Sequence, residues 1–173
     1  SCDGMFYKGK TVAVIGGGNT AVSDALLLSR IAARVILIHR RSSLRADKIY
    51  HKAMQDAPNI EFRWNSRVTS LLQEGSRLAG LGLQDVNSGE ESILACDGAF
   101  ISIGRQPQTE LAAGRLSMDE NGYIIADETT ATSIPGVYAA GDVRTKSIRQ
   151  VVTAMADGAA AVHEAQGYLA SGN

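Results

Sequence analysis

Three observations in the first forty residues predict an α/β protein with a Rossmann-like parallel sheet. Thr11 to Ile15 (TVAVI) is a short β-branched apolar run that ends in three glycines. Asn19 to Ile31 carries apolar residues at helical spacing, and Arg34 to Ile38 (RVILI) reads as a second strand. A parallel strand covered on both faces reads as continuous apolar sequence, and two such strands need a crossover that is usually a helix.

The remaining elements follow in order. Val22, Ala25, Leu26, Leu28 and Ile31 form one stripe on the first helix, with Asn19 or Thr20 near its cap. A second helix is expected over Ala46 to Ala57, stopped by Pro58, and then a strand over Ile60 to Trp64. Between Val68 and Cys96 short alternating strands are separated by Glu74-Gly75-Ser76 and Asn87-Ser88-Gly89, which predicts an antiparallel β-meander laid on the parallel sheet. Ala99 to Ile103 reads as a further buried strand. The polar break Gly104-Arg105-Gln106-Pro107 marks the boundary between a domain over residues 1–105 and a segment over 106–173.

Beyond it are expected a strand over Tyr123 to Ala126, a segment Thr132 to Asp142 with a buried strand ending at Gly141-Asp142, and a long apolar-faced helix from Ile148 to Leu169. Two strands and a helix are too few for an independent core, so this segment reads as the tail of another domain. The chain opens at Ser1 without a methionine, with Cys2 almost at the terminus, which looks like a cut end.

Composition narrows the function classes. With 17 basic and 18 acidic residues there is no global field to hold nucleic acid or an anionic membrane. The longest apolar runs fall far short of the roughly 18 residues of a spanning helix, and no signal peptide precedes them, so the chain is expected to be cytoplasmic. Cys2 and Cys96 give neither a disulfide framework nor a ligand spacing. Cys96 is expected to be a small core residue. His51 and His163 have no partner at ligand spacing, so no metal is expected.

Gly16-Gly17-Gly18-Asn19-Thr20-Ala21 fits G-x-G-x-x-A between a strand and a helix, where a dinucleotide pyrophosphate meets free N–H groups and the positive helix end. Gly16 permits the tight turn, Gly18 lets the pyrophosphate approach the backbone, and Ala21 lets the helix lie close to the strand. An NAD site would place an acid at the end of the second strand. Here His39-Arg40-Arg41 stand there, followed by Arg45, and guanidinium groups suit a 2′-phosphate. The expected ligand is NADPH.

Taken together, Cys2-Asp3-Gly4, Gly16 to Ala21, His39 to Ala46, Thr132 to Val143 (TSIPGVYAAGDV) and Arg149-Gln150 resemble the low-molecular-weight, bacterial-type thioredoxin reductases over essentially the whole chain. The resemblance implies that residues 106–173 are the C-terminal portion of an FAD-binding domain. It also implies that NADPH passes a hydride to FAD, which reduces a C-x-x-C disulfide and through it thioredoxin. Cys2 matches the second cysteine of that motif and Asp3 its proton-exchanging acid. Gly141 and Asp142, with Arg149 and Gln150 at the start of the following helix, match flavin-side residues. Leu44 departs from the aromatic residue common in the family.

The first cysteine and the N-terminal FAD-binding unit are expected upstream of Ser1, so this chain should bind NADPH without turning over thioredoxin alone. In the family this domain swivels, with hinge candidates near Gly104 to Pro107 and Ser1 to Phe6. A free-standing NADP(H)-binding module and a related flavoprotein, such as an alkyl hydroperoxide reductase flavoprotein or a ferredoxin-linked reductase, stay open as alternatives, as does a homodimer.

Overall fold

A computed structural model describes residues 2–172, with side chains from residue 3 onward. The chain divides into two compact units, Ser1–Gly104 and Arg105–Asn173.

In the first unit a 3₁₀ turn (Cys2–Tyr7) precedes β1 (Thr11–Ile15), α1 (Asn19–Ser29), β2 (Arg34–Ile38), α2 (Ile49–Asp56) and β3 (Ile60–Arg63). Then come β4 (Ser66–Glu74), β5 (Arg77–Asp85), β6 (Glu91–Ala95) and β7 (Gly98–Ile101). The parallel sheet has the order β3-β2-β1-β7, and β4-β5-β6 form a separate antiparallel sheet. The α/β class and the meander expected from sequence are both present.

Strand alternation sorts β1 and β2 into two cores. Val12, Val14, Val35 and Leu37 meet Ala21, Val22, Ala25 and Leu28 of α1 and Met54 of α2. On the opposite face Ala13, Ile36 and Ile38 meet Leu81, Leu83, Leu94 and Cys96 of the meander. Both faces are therefore dry, which is why, past Thr11 and Arg34 at their starts, these strands carry no polar positions. Cys96 directly follows β6, and burial pushes its thiol pKa up, as suits a small core residue.

Element ends differ from the sequence reading where backbone groups find other partners. The helix α1 stops at Ser29, because the N–H groups of Arg30 and Ile31 turn to the carbonyls of Leu27 and Leu28 and that of Ala33 bonds the Lys10 carbonyl at 2.9 Å. Its N-cap is Gly18, which makes no side-chain cap bond, so neither Asn19 nor Thr20 caps it. α2 begins at Ile49, after Ala46, because the N–H groups of Arg45 and Ala46 bond the Gly17 carbonyl and that of Asp47 bonds Asn19. β7 ends at Ile101, since after Ser102 donates to the Ile15 carbonyl at 2.8 Å the neighbouring strand has turned into glycines.

In the second unit the described residues hold two 3₁₀ turns (Glu110–Ala112 and Gly141–Val143) and one helix, α3 (Val151–Ala170). The strands expected over Tyr123 to Ala126 and before Gly141 reduce to the isolated bridges Met118↔Ile124, Ile124↔Arg144 and Ala131↔Tyr138. Side chains capture the backbone there. Asp119 accepts from the N–H groups of Asn121 and Tyr123, and Asp127 from those of Thr129 and Ala131, turning the chain where a ladder would have continued. Among the described residues no helix is long and apolar enough to cross a membrane.

Candidate functional site

The carboxyl ends of β1 and β2 lead into the same short stretch of space. Gly16 turns the chain out of β1 at φ +145°. A Cβ on it would overlap the Ser102 carbonyl oxygen and stand 2.9 Å from the Ala21 Cβ, so glycine at 16 and a small residue at 21 are both required for the helix to sit against the sheet. Gly18 differs, because nothing lies within 4 Å of a Cβ placed there and its φ is −94°. Its missing side chain leaves open space in front of the α1 N-terminus. The first helical hydrogen bond runs from the Val22 N–H to the Gly18 carbonyl at 3.1 Å. The N–H groups of Asn19, Thr20 and Ala21 precede it and have no intrahelical acceptor.

The middle glycine, which the fingerprint leaves unspecified, has its own cause. A Cβ on Gly17 would lie 2.5 Å from three atoms of the His39 ring. The imidazole therefore packs directly under the turn, where it is 6 % exposed and its Nε2 has no hydrogen-bond partner. Burial lowers the His39 pKa, and the charges of Arg45, Arg41 and Arg40 lower it further, against a backbone hydrogen bond at Ser43 that raises it. The ring is thus neutral at pH 7 and the local positive charge resides on the arginines.

Arg40, Arg41 and Arg45 are all exposed, and none takes part in an ion pair among the described residues. The loop that carries them is held along its length. His39 donates its N–H to the Arg63 carbonyl at 2.9 Å and accepts from the Ser66 N–H at 3.0 Å, and the Arg41 carbonyl accepts from the Asn65 N–H at 3.2 Å. Trp64 stacks on Phe62 with centroids 4.8 Å apart and presents an edge contact to His39 at 6.3 Å. At its far end the Gly17 carbonyl accepts from the N–H groups of Arg45 at 2.7 Å and Ala46 at 3.1 Å. The residues singled out in the first unit thus meet: the fingerprint turn and the arginine loop share Gly17. An open cradle faced by N–H groups beside unneutralised guanidiniums on an anchored backbone suits a ligand with two phosphate-bearing regions.

The residues singled out in the second unit gather at the start of α3. Gly141, at φ +83°, donates its N–H to Asp157 at 2.9 Å. The Asp142 carboxylate is exposed and lies 3.7 Å from the Arg105 guanidinium. Arg149 lies over the Tyr123 ring at 3.9 Å, donates to the Arg144 carbonyl at 3.4 Å and leaves a buried Nε without a partner. Gln150 is the N-cap of α3, and its N–H donates to Thr153 at 3.1 Å. Asp3 is exposed on the first 3₁₀ turn, whereas the side chain of Cys2 lies outside the described residues.

Sequence reasoning passed over the group that holds this second cluster in place. The carboxylate of Asp157, 8 % exposed, accepts from Arg144 (3.1 and 3.2 Å), Lys146 (2.6 Å) and the Gly141 N–H (2.9 Å). Burial alone would raise its pKa, yet these donors hold it well below the usual carboxylate range. The available signal was an acid in the otherwise uncharged run Val151 to Val162, since a charge in such a run is stable inside a protein only when paired.

Comparison with known proteins adds to this geometry. The family model described as pyridine nucleotide-disulphide oxidoreductase matches residues 1–158. The chain is 45 % identical over 99 % of its length to a thioredoxin reductase of Streptomyces clavuligerus and 44 % identical over 98 % to one of Treponema pallidum, covering 53 % and 54 % of those proteins. It thus spans about half the length of the curated relatives it matches. Among solved structures, the thioredoxin reductase of Streptococcus pyogenes aligns with a TM-score of 0.88 at 36 % identity, over 98 % of this chain and 55 % of that one. The thioredoxin reductase of Giardia duodenalis aligns with a TM-score of 0.82 at 32 % identity, over 97 % and 55 %.

Proposed function

The chain belongs to the pyridine nucleotide-disulphide oxidoreductase family, and we propose that its first unit binds NADPH as the nucleotide-binding part of a flavin-dependent thioredoxin-disulfide reductase. The observation that carries the NADPH reading is the arginine loop fastened to the fingerprint turn through Gly17. The N–H groups at the start of α1 would receive the pyrophosphate. Arg40, Arg41 and Arg45 would receive the 2′-phosphate through charge-assisted hydrogen bonds, which a 2′-hydroxyl cannot repay in the same measure.

The reductase reading rests on relatives named thioredoxin reductase that match along nearly all of this chain. In it, residues 1–105 are the NADPH domain and 106–173 the C-terminal portion of the FAD domain. FAD, when bound, supplies the two-electron acceptor that nicotinamide alone lacks. The buried Arg149 Nε without a partner and the exposed Asp142 carboxylate are groups suited to hold it, with Gly141 and Gln150 shaping the turn and helix start between them. Cys2 would act as one redox thiol, Asp3 would exchange its proton, and thioredoxin would be the disulfide substrate.

Calorimetric titration with NADPH and NADH tests the nucleotide assignment. Arg40→Ala combined with Arg41→Ala is expected to cost about 2 to 4 kcal/mol of NADPH affinity, taking charge-assisted bonds at about 1.5 to 3 kcal/mol each with partial screening. NADH affinity should change little, and equal losses for both nucleotides would remove the assignment.

A further inference from the structure

We infer that Asn19 and Asp47 form a clasp that positions Arg45 for the 2′-phosphate, an inference that rests on the NADPH reading above. Asn19 occupies a fingerprint position beside the open cradle, yet both polar atoms of its amide are engaged elsewhere. Its Nδ2 donates to Asp47 Oδ2 at 2.9 Å, and its Oδ1 accepts from the Asp47 N–H at 2.8 Å. Two residues away, the Gly17 carbonyl takes the N–H groups of Arg45 and Ala46. These bonds tie residues 17 to 19 to residues 45 to 47, so the backbone of Arg45 cannot move independently of the turn.

Arg40 and Arg41 are anchored by other means, through the bonds of His39 and Arg41 to Arg63, Ser66 and Asn65. The clasp therefore acts on one arginine of the three. Fixing that backbone removes part of the ordering cost of a long guanidinium side chain on binding, which is where a positioning residue gains affinity. A carboxylate at 47 is otherwise unfavourable beside a site for a phosphate dianion, since like charges repel. Its presence there is explained if its acceptor oxygen holds Asn19. Asn19 is thus a positioning residue whose side chain acts on the 2′-phosphate end of the ligand and not on the pyrophosphate beside it.

The readout is the ratio of NADPH to NADH affinity, which a general effect on folding or on pyrophosphate binding does not move. Asn19→Ala is expected to lower that ratio about tenfold, the scale of one charge-assisted hydrogen bond. Combined with Arg45→Ala it should add little to the loss from Arg45→Ala alone, because the two act as a unit. Asn19→Asp should also lower the ratio by setting two carboxylates against each other. Adding Asp47→Asn should restore it to within about threefold by re-forming the reciprocal pair. An unchanged ratio in Asn19→Ala, full additivity with Arg45→Ala, or no rescue by the exchanged pair overturns the clasp. A parent chain that binds both nucleotides equally overturns the NADPH reading and the clasp with it. A parent with a clear NADPH preference that the Asn19 variants leave intact overturns the clasp alone.

Discussion

The two units of this chain are stabilised by different means. The first places apolar side chains on both faces of a parallel sheet, and its order is spread over two cores. In the second, pairing is limited to isolated bridges, and the buried residue of α3 is an acid, Asp157, which gathers Arg144, Lys146 and the Gly141 turn. Trimming one side chain in an apolar core costs the lost burial and the cavity left behind, but strands no polar group. A buried charge cluster fails differently, because removing one member leaves the others unpaired away from water.

The largest expected effect follows from that contrast. Asp157→Ala should cost the second unit about 3 kcal/mol or more, the usual result of removing one partner of a buried pair. Hydrogen exchange resolved along the chain checks it: amides of Ile124, Gly141 and Thr145 should lose protection while those of β1 and β2 keep theirs. Uniform loss, or none, would erase the distinction between the units.

Gly17→Ala drives a methyl into the His39 ring and should cost about 1 to 3 kcal/mol, as overpacking does. Gly18→Val meets open space and should cost about 1 kcal/mol or less, yet abolish binding of either nucleotide by filling the pyrophosphate approach. Melting curves beside nucleotide titrations separate the two. A Gly18→Val protein that melts with Gly17→Ala would mean that both glycines serve packing.

The smallest expected effect is on pH dependence, and it differs between units in its window. The folded pKa of His39 is lowered from 6.5 by burial and the neighbouring arginines. The unfolded chain therefore takes up the proton first, and the stability tied to the neutral ring is complete above about 6.5 and declines as pH falls below it. Asp157 is depressed from 3.8, so its contribution is complete above that value and is lost only in stronger acid. Between pH 7 and 5 the first unit should weaken and the second should not. His39→Asn should remove that slope, measured by segment-resolved exchange at each pH.

Legibility in the sequence followed the same division. The strand β1 was readable to the residue, as was β2, because both are apolar after their first residue and bounded by glycine or by charge. The meander showed in its alternation and turns. Tyr123 to Ala126 looked like strand for the same local reasons and is not, because Asp119 and Asp127 compete for the backbone. The start of α2 was displaced because a distant group, Asn19, claimed the Asp47 N–H. The arginine loop was visible as charge at a particular distance from the glycines, whereas its fastening was not.

Linear pattern alone carried the α/β class, the glycine turn and the excess of positive charge where an NAD site would carry an acid. Each depends on spacing along one segment, and local spacing is what a linear pattern preserves. The folded chain was needed to show that the Asn19 amide is spent on Asp47, 28 positions away, and that Gly17 is needed by the His39 ring. The same holds for the closing of Asp157 on Arg144 and Lys146. A polar side chain takes whichever partner the fold brings within about 3 Å, and that choice is made by chain crossings that no single segment encodes.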